Sequence, residues 1–261
     1  MTGSSGASTG SDAINTDIEI IYCGAFNKYI TPIAHETGFL LGEQLPNSKS
    51  SKKCIEKLGV GLHFADQNWK KPDRQAYMSD IKLIRPKVAT VLDYERPSQW
   101  DEVMSWAEEI TRYVETVIII PKVYDCISDI PEVINGKPVR LGYSIPTSYG
   151  GTKMSPRLFK DRPVHLLGGS PQRQMRLCRS MNVESVDSNM ILKFGIFCQV
   201  WVCDNPFTGR SHLEPISTYI GKEMIDRAYQ KAFKLSCINV RQAWREFLAG
   251  SEHQKTFGDY I

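Results

Sequence analysis

Three short apolar runs carry an aspartate at or near their end: GLHFAD (61–66), VATVLD (88–93) and VESVDS (183–188). They place Asp66, Asp93 and Asp187 where a strand gives way to a loop. An aspartate there is often a turn residue or a helix cap, and for any one of them that reading stands. Aspartate is a poor strand residue, however, and three such placements favour a shared site. Carboxylates gathered at one mouth suit glycosyl chemistry. One attacks an anomeric carbon and holds a covalent glycosyl-enzyme ester, and a second moves the proton. A third can accept hydrogen bonds from the N–H groups of a purine edge.

Such a site needs strands that open on one face. Further apolar runs are IEIIYC (18–23), TVIIIP (116–121), VRLGY (139–143) and VHLLGG (164–169), with GFLLG (38–42) a weaker eighth. Runs without polar alternation suit strands buried on both faces of a parallel sheet. Between them lie helical patterns. In SQWDEVMSWAEEITRYV (98–114), Trp100, Val103, Met104, Ala107 and Ile110 share one face. Ser98 is its N-cap candidate, with Asp101 completing a variant capping box. PQRQMRLCRSM (171–181) follows the Ser170 cap candidate, with Pro171 suited to a first turn. Eight strand–helix units predict an α/β fold, a (β/α)8 TIM-like barrel with a short C-terminal helical extension; a doubly wound sheet is the alternative. The expected division is a disordered N-terminal tail over 1–15, the barrel over 16–195, and an extension over 196–261 packed on it.

A chain of 261 residues can form one large domain, and 41% hydrophobic with 23% charged residues is ordinary for a soluble protein. A formal charge of +3 permits a polyanionic partner without demanding one. Seven scattered cysteines do not form a disulfide framework, which points to a reducing, cytoplasmic setting. No apolar run of 18 or more residues exists to span a membrane, and MTGSSGASTGSDA lacks the features of a signal peptide.

The segment RPVHLLGGSP…MNVESVDSN resembles the end of the barrel in tRNA-guanine transglycosylases, where a glycine-rich strand and helix lead to a strand carrying a nucleophilic aspartate. The resemblance implies that Asp187 is the nucleophile. GLHFADQNW resembles the family's acid/base strand, implying that role for Asp66, and VATVLDYERPSQW its base-binding segment, implying that role for Asp93. LGYSIP stands where the family contacts the base, which implies Gly142 and Tyr143. The likeness runs from about residue 18 to 190. Gln67-Asn68-Trp69 replaces a Gly-Gly, and Pro121 or Lys122 a base-reading Gln, so the choice of base departs from the pattern.

The chain is compact for a tRNA enzyme of this kind. It is most similar to the phage-type DNA 7-deazaguanine transglycosylases (DpdA-like), which would place it in a host cytoplasm. The implied partners are DNA, with tRNA as the alternative, and a free 7-deazaguanine base. The implied reaction replaces guanine through a covalent Asp–nucleotide intermediate. An N-glycosyl hydrolase using the same carboxylates and a catalytically dead nucleic-acid-binding barrel are the other readings.

Trp69 could stack on a flipped base or pack under a loop. Gly168 and Gly169, in the GGSP turn, are substrate-binding candidates. Lys70, Lys71 and Arg74, with Arg173 and Arg176, are candidates for the phosphate backbone or a solvated face. A looser basic stripe comprises Lys222, Arg227, Lys231, Lys234, Arg241 and Arg245. His63 and His165 read as hydrogen-bonded core residues, and His165 could also orient a carboxylate. No cofactor is required. Cys198, Cys203, His212 and Cys237 offer zinc ligands at spacings unlike the family's, and buried free cysteines are the other reading.

Overall fold

The computed structural model describes residues 17–24, 26–46, 56–123, 126–148, 150–221 and 227–258, with side chains up to residue 250. The expected tail over 1–15, Cys54 and Lys222 lie outside the described residues. Eight parallel strands close into a barrel: β1 (Glu19–Cys23), β2 (Leu40–Leu45), β3 (Phe64–Gln67), β4 (Val88–Thr90), β5 (Thr116–Ile119), β7 (Lys137–Ser144), β8 (Val164–Leu167) and β9 (Val183–Ser188). The two-residue β6 (Val133–Ile134) is antiparallel to β7 and stands outside the ring. Each barrel strand pairs with the next, β5 pairs with β7, and β9 returns to β1. The (β/α)8-type barrel is therefore formed, and the doubly wound alternative is excluded by ring closure.

Helices lying wholly within the described residues between strands are α1 (Ile30–Glu36), α2 (Arg74–Ile84), α3 (Trp100–Ile110) and α4 (Pro171–Leu177), and residues 56–58 between β2 and β3 are helical as well. Among the described residues, two crossovers depart from the eight-unit expectation. The path from β5 to β7 runs through the β6 hairpin, and that from β7 to β8 through a 3-10 turn, Pro156–Phe159. Ser98 does not cap α3. It lies within a 3-10 turn, Pro97–Gln99, and the Gln99 Oε1 accepts from the Glu95 and Arg96 amides instead. Ser170 does stand at the N-cap of α4, though its side chain makes no capping bond.

Period-two alternation sorts the strand side chains. Ile20 and Tyr22 of β1, Val139, Leu141 and Tyr143 of β7, and Val183 and Val186 of β9 face the helices. Ile21, Phe64, Val88, Ile118 and Ile120 fill the interior, with Cys23 and Leu167 above them. Gly42 and Gly142 make room for these large side chains. A Cβ on Gly142 would stand 2.5 Å from Ile120 Cγ1 and 2.9 Å from Ile118 Cγ2. Gly142→Ala is therefore expected to destabilise the fold by about 1–3 kcal/mol through overpacking. Urea unfolding reads this as a lower midpoint at unchanged slope; an unmoved midpoint would show that the interior has slack.

The floor of the barrel is polar. Arg140 of β7 donates to Glu19 of β1 at 2.5 Å and to Glu184 of β9 at 2.7 Å. Burial alone would raise Glu19, but hydrogen bonds from His63 and Arg140 outweigh it and bring the carboxyl down to about 2. A register shift between β8 and β9, where Val164 meets Val183 but His165 meets Ser185, lets both Glu184 and Ser185 reach Arg140.

After β9 come α5 (Met190–Ile196), the antiparallel hairpin of β10 (Gln199–Asn205) and β11 (Arg210–Pro215), and the long α6 (Ala228–Gly258). The expected helical character of the extension is realised in α6, and 222–226 lie outside the described residues. Phe233, Cys237, Val240, Trp244 and Phe247 bury one face of α6, which packs on β10, α5 and α1. Trp201 is fixed there by its amide donating to Ser236 Oγ (2.9 Å) and its carbonyl accepting from Asn239 (2.8 Å). The extension is thus joined to the barrel through α5, whose span crosses the expected boundary at 195. No helix among the described residues is long and apolar enough to cross a membrane.

Candidate active site

A cavity of about 950 Å³ opens at the C-terminal ends of the barrel strands. Such mouths are where barrel strands deliver side chains from several elements to one place. Asp66, Asp93 and Asp187 all line it, as do Trp69, Gly168 and Gly169. So do Cys23, Glu43, Gln44, Lys122, Ser144, Lys153 and Asn189, besides Gly150 and Gly151 of the SYGGT turn. Tyr149 of that turn lies outside the described residues.

Asp187 sits on β9 between Ile21 of β1 and Leu167 of β8 in the register. Its Oδ1 lies 3.2 Å from His165 Nε2 and accepts from the Gly168 amide at 3.2 Å. Gln174 of α4, 2% exposed, donates to both the Gly168 and Asp187 carbonyls, at 2.9 and 2.8 Å. Ser188 Oγ donates to the Gly169 carbonyl at 2.7 Å. These bonds tie the GGSP turn to the end of β9. Gly168 and Gly169 adopt φ of 70° and 81°, a left-handed backbone that favours glycine. The turn's Gly168 amide thus serves the carboxylate.

Asp66 occupies a different environment. Thr90 Oγ donates to the Asp66 Oδ1 at 3.1 Å, and Thr90 Oγ in turn accepts from the Gln67 amide at 2.8 Å. Burial, and the negative charges of Asp187 and Asp93, push the Asp66 carboxyl up to about 8 against the Thr90 and Gln44 hydrogen bonds. At neutral pH it carries a proton. Asp93 lies past the regular end of β4, where the chain stays alongside β5 through a bridge between Tyr94 and Pro121. That continuation puts Lys122 Nζ 2.5 Å from Asp93 Oδ2. Burial raises the Asp93 carboxyl, and Lys122 opposes the rise. Burial, reinforced by Asp187, Asp66 and Glu43, pushes the Cys23 thiol well up, so it stays neutral and is a poor nucleophile.

Trp69 forms part of the rim, 49% exposed, with Lys70 Nζ 5.2 Å and Lys122 Nζ 6.0 Å from its ring centroid. The packing alternative for Trp69 is disfavoured by that exposure. Lys70 and Lys71 are exposed beside it but do not line the cavity. Arg173 is exposed and donates to the Pro146 carbonyl at 2.8 Å, close to the rim. Arg176 lies against Gly209 of the hairpin turn, away from the cavity lining. Arg74 joins α2 to α3 through Glu109, at 2.9 Å, and Ser105. Arg241 of the looser stripe stacks on Phe39.

Two site expectations are corrected. Gly142 points into the packed interior below the cavity, and Tyr143 points outward. Tyr143 is 4% exposed and packs edge-on against Phe159 at 5.1 Å. Ser144, the next inward position, takes the place at the wall. The proposed zinc ligands do not assemble either. Both nitrogens of His212 face carboxylates, Asp204 at 3.0 Å and Glu214 at 2.9 Å, while Cys237 is buried under α6. Among the described residues, no three His, Cys, Asp or Glu side chains are grouped to hold a metal ion.

Glu43 and Gln44 were missed because GFLLG stops at Gly42, whereas β2 continues to Leu45. The strand-end logic that found the aspartates, applied to β1 and β2, would have found Cys23 and Glu43.

No curated protein matches the chain. Among solved structures, the chain is similar to the crystal structure of phosphoribosyl anthranilate isomerase from Thermus thermophilus. The identity is 17%, with 87% of this chain and 98% of that chain covered and a TM-score of 0.47. That likeness carries no inference about activity. A family model matches residues 34–245, from α1 to the middle of α6, and the chain belongs to that family, DUF6610, a family of unknown function.

Proposed function

We propose that the protein is a base-exchange transglycosylase that replaces guanine in DNA with a 7-deazaguanine derivative. One observation carries the reading: a single cavity holds two aspartates in opposed environments. Asp66 is kept protonated by burial and neighbouring charge, while Asp187 accepts hydrogen bonds on one oxygen. Two carboxyl groups set apart in this way suit division into acid and nucleophile.

The steps balance on these residues. An Asp187 carboxylate oxygen bonds to C1′ as the C1′–N9 bond breaks, and its electron pair leaves with guanine. The Asp66 carboxyl supplies the proton that neutralises the departing base. N9 of the incoming base then gives its proton to Asp66 and attacks C1′, and the ester breaks to restore Asp187. A group that titrates near 8 can both give and take that proton close to neutral pH. Asp93, beside Lys122, offers acceptor and donor side by side to a purine edge, and Trp69 offers a face to an extruded base. Exposed Lys70, Lys71 and Arg173 around the rim suit a phosphate backbone. DNA rather than tRNA rests on the resemblance to the compact branch of transglycosylases.

The test supplies 15N-labelled guanine with duplex DNA, single-stranded DNA or tRNA, digests the polymer to nucleosides and weighs them. Because exchange is reversible, labelled guanine enters without knowledge of the natural incoming base. Label in DNA is the expected result. Label confined to tRNA reassigns the polymer. Abasic sites without label indicate a hydrolase, and no change in any polymer overturns the proposal.

A further inference from the structure

A buried chain of polar groups runs from the barrel floor to Asp187. His165 is fully buried inside the barrel. Its Nδ1 lies 2.7 Å from Ser185 Oγ and its Nε2 lies 3.2 Å from Asp187 Oδ1. Phe64, also fully buried, stacks on the ring at 4.6 Å and 34°, which limits its rotation. A flip of the ring would put carbon against both partners, so the orientation is set by chemistry as well as by packing.

The proton positions follow from what each group can do. Arg140 Nη1 donates to Ser185 Oγ at 3.0 Å. A guanidinium is a donor only and does not accept a hydrogen bond. Glu19 and Glu184 hold that guanidinium in place from the other side. The Ser185 hydroxyl therefore accepts from Arg140, and the partner placed to receive its own hydrogen is His165 Nδ1. With Nδ1 accepting, the neutral imidazole carries its hydrogen on Nε2, facing Asp187. Burial favours the neutral ring by lowering its pKa.

We propose that Arg140 and Ser185 lock His165 as its Nε2–H tautomer, which pins Oδ1 of Asp187 and leaves Oδ2 turned to the reacting carbon. Both nitrogen donors, His165 and the Gly168 amide, converge on Oδ1, and among the described residues no nitrogen or hydroxyl donor reaches Oδ2. The neighbouring Cys23 thiol is at most a weak donor. His165, Ser185 and Arg140 are thus positioning residues acting through Asp187. The purpose of the lock, though not the lock itself, rests on Asp187 being the nucleophile.

The nitrogen spectra of the histidine rings test the lock without any substrate. Two-bond proton–nitrogen correlations of the full chain, with His165 assigned by its loss in His165→Gln, should show a neutral Nε2–H ring at neutral pH. Ser185→Ala should lose that single tautomer. An Nδ1–H ring or an imidazolium in the unaltered protein overturns the proposal. In single-turnover exchange, Ser185→Ala should slow adduct formation roughly 10- to 100-fold, the cost of one well-placed hydrogen bond, with KM little changed. His165→Gln, which restores an N–H toward Asp187, should retain more activity than His165→Phe. Unchanged chemistry in Ser185→Ala, with the tautomer lost, refutes the positioning role. If the unaltered protein shows the Nε2–H ring but exchanges no base, the lock stands and the transglycosylase reading falls.

Discussion

On the proposed mechanism, Asp187→Asn is expected to abolish the covalent intermediate and to lower base exchange by on the order of 10⁴- to 10⁶-fold, the range seen when a nucleophile or its activating partner is removed. The substitution is nearly isosteric. An asparagine oxygen can still accept from His165 Nε2 and the Gly168 amide, so β9 and the GGSP turn keep their bonds. What is lost is the carboxylate oxygen proposed to attack C1′, because an amide oxygen does not form a stable ester. The contrast with neighbouring positions gives the result its meaning. Loss of one preorganised hydrogen bond costs about 10²- to 10³-fold at most, whereas loss of the attacking atom leaves only binding and electrostatics. Quenching with denaturant and weighing the protein reads the adduct directly. Exchange by Asp187→Asn within tenfold of the unaltered protein would remove Asp187 from the nucleophile's role.

The eight barrel strands were legible because strands buried on both faces read as unbroken apolar runs. Asp66, Asp93 and Asp187 were legible for a related reason: each interrupts such a run at the end that opens on the mouth. His165 was legible as a residue placed to orient a carboxylate, since it lies on the strand beside β9. Tyr143 was not. Gly142 faces the packed interior against Ile118 and Ile120, and Tyr143, one residue on, points to the helix side against Phe159. Naming the pair ignored the alternation that places Ser144 at the wall instead. Glu43 escaped because a buried carboxylate beside a glutamine looks like the end of a strand. Lys122 was noticed only as a departure from a pattern. Its partner, Asp93, lies 29 positions earlier in the chain, and their pairing depends on a bridge past the regular ends of β4 and β5. Side chains that face outward on short helices, such as Arg176, follow from exact helix placement, which spacing alone does not supply.

Asp66→Asn is expected to stabilise the fold while removing most of the activity, with the stability gap opening between about pH 4 and pH 8. In the folded protein the Asp66 carboxyl is pushed up to about 8, from 3.8 for an unperturbed group. Below pH 4 the group is protonated in both folded and unfolded chains and contributes no difference. Between the two values the unfolded chain has released a proton that the folded chain still holds, so stability falls as pH rises. Above about 8 both forms are ionised and the deficit stays constant, on the order of a few kcal/mol. Asparagine carries no charge, so the variant escapes this loss. Melting temperatures of the two proteins should therefore diverge from pH 4 to 8 and run parallel beyond it. Curves that stay parallel throughout, or diverge toward acid, would show that Asp66 is not held protonated. Activity should move the other way. With no proton to give, the variant should lose roughly 10²- to 10⁴-fold in exchange, and kcat/KM of the unaltered protein should decline as pH rises through about 8. A carboxyl that costs stability over the pH range where the proposed mechanism needs an acid would be kept for its chemistry. The same burial that makes Asp66 expensive to ionise, beside Asp187 and Asp93, would keep its proton available to a leaving base.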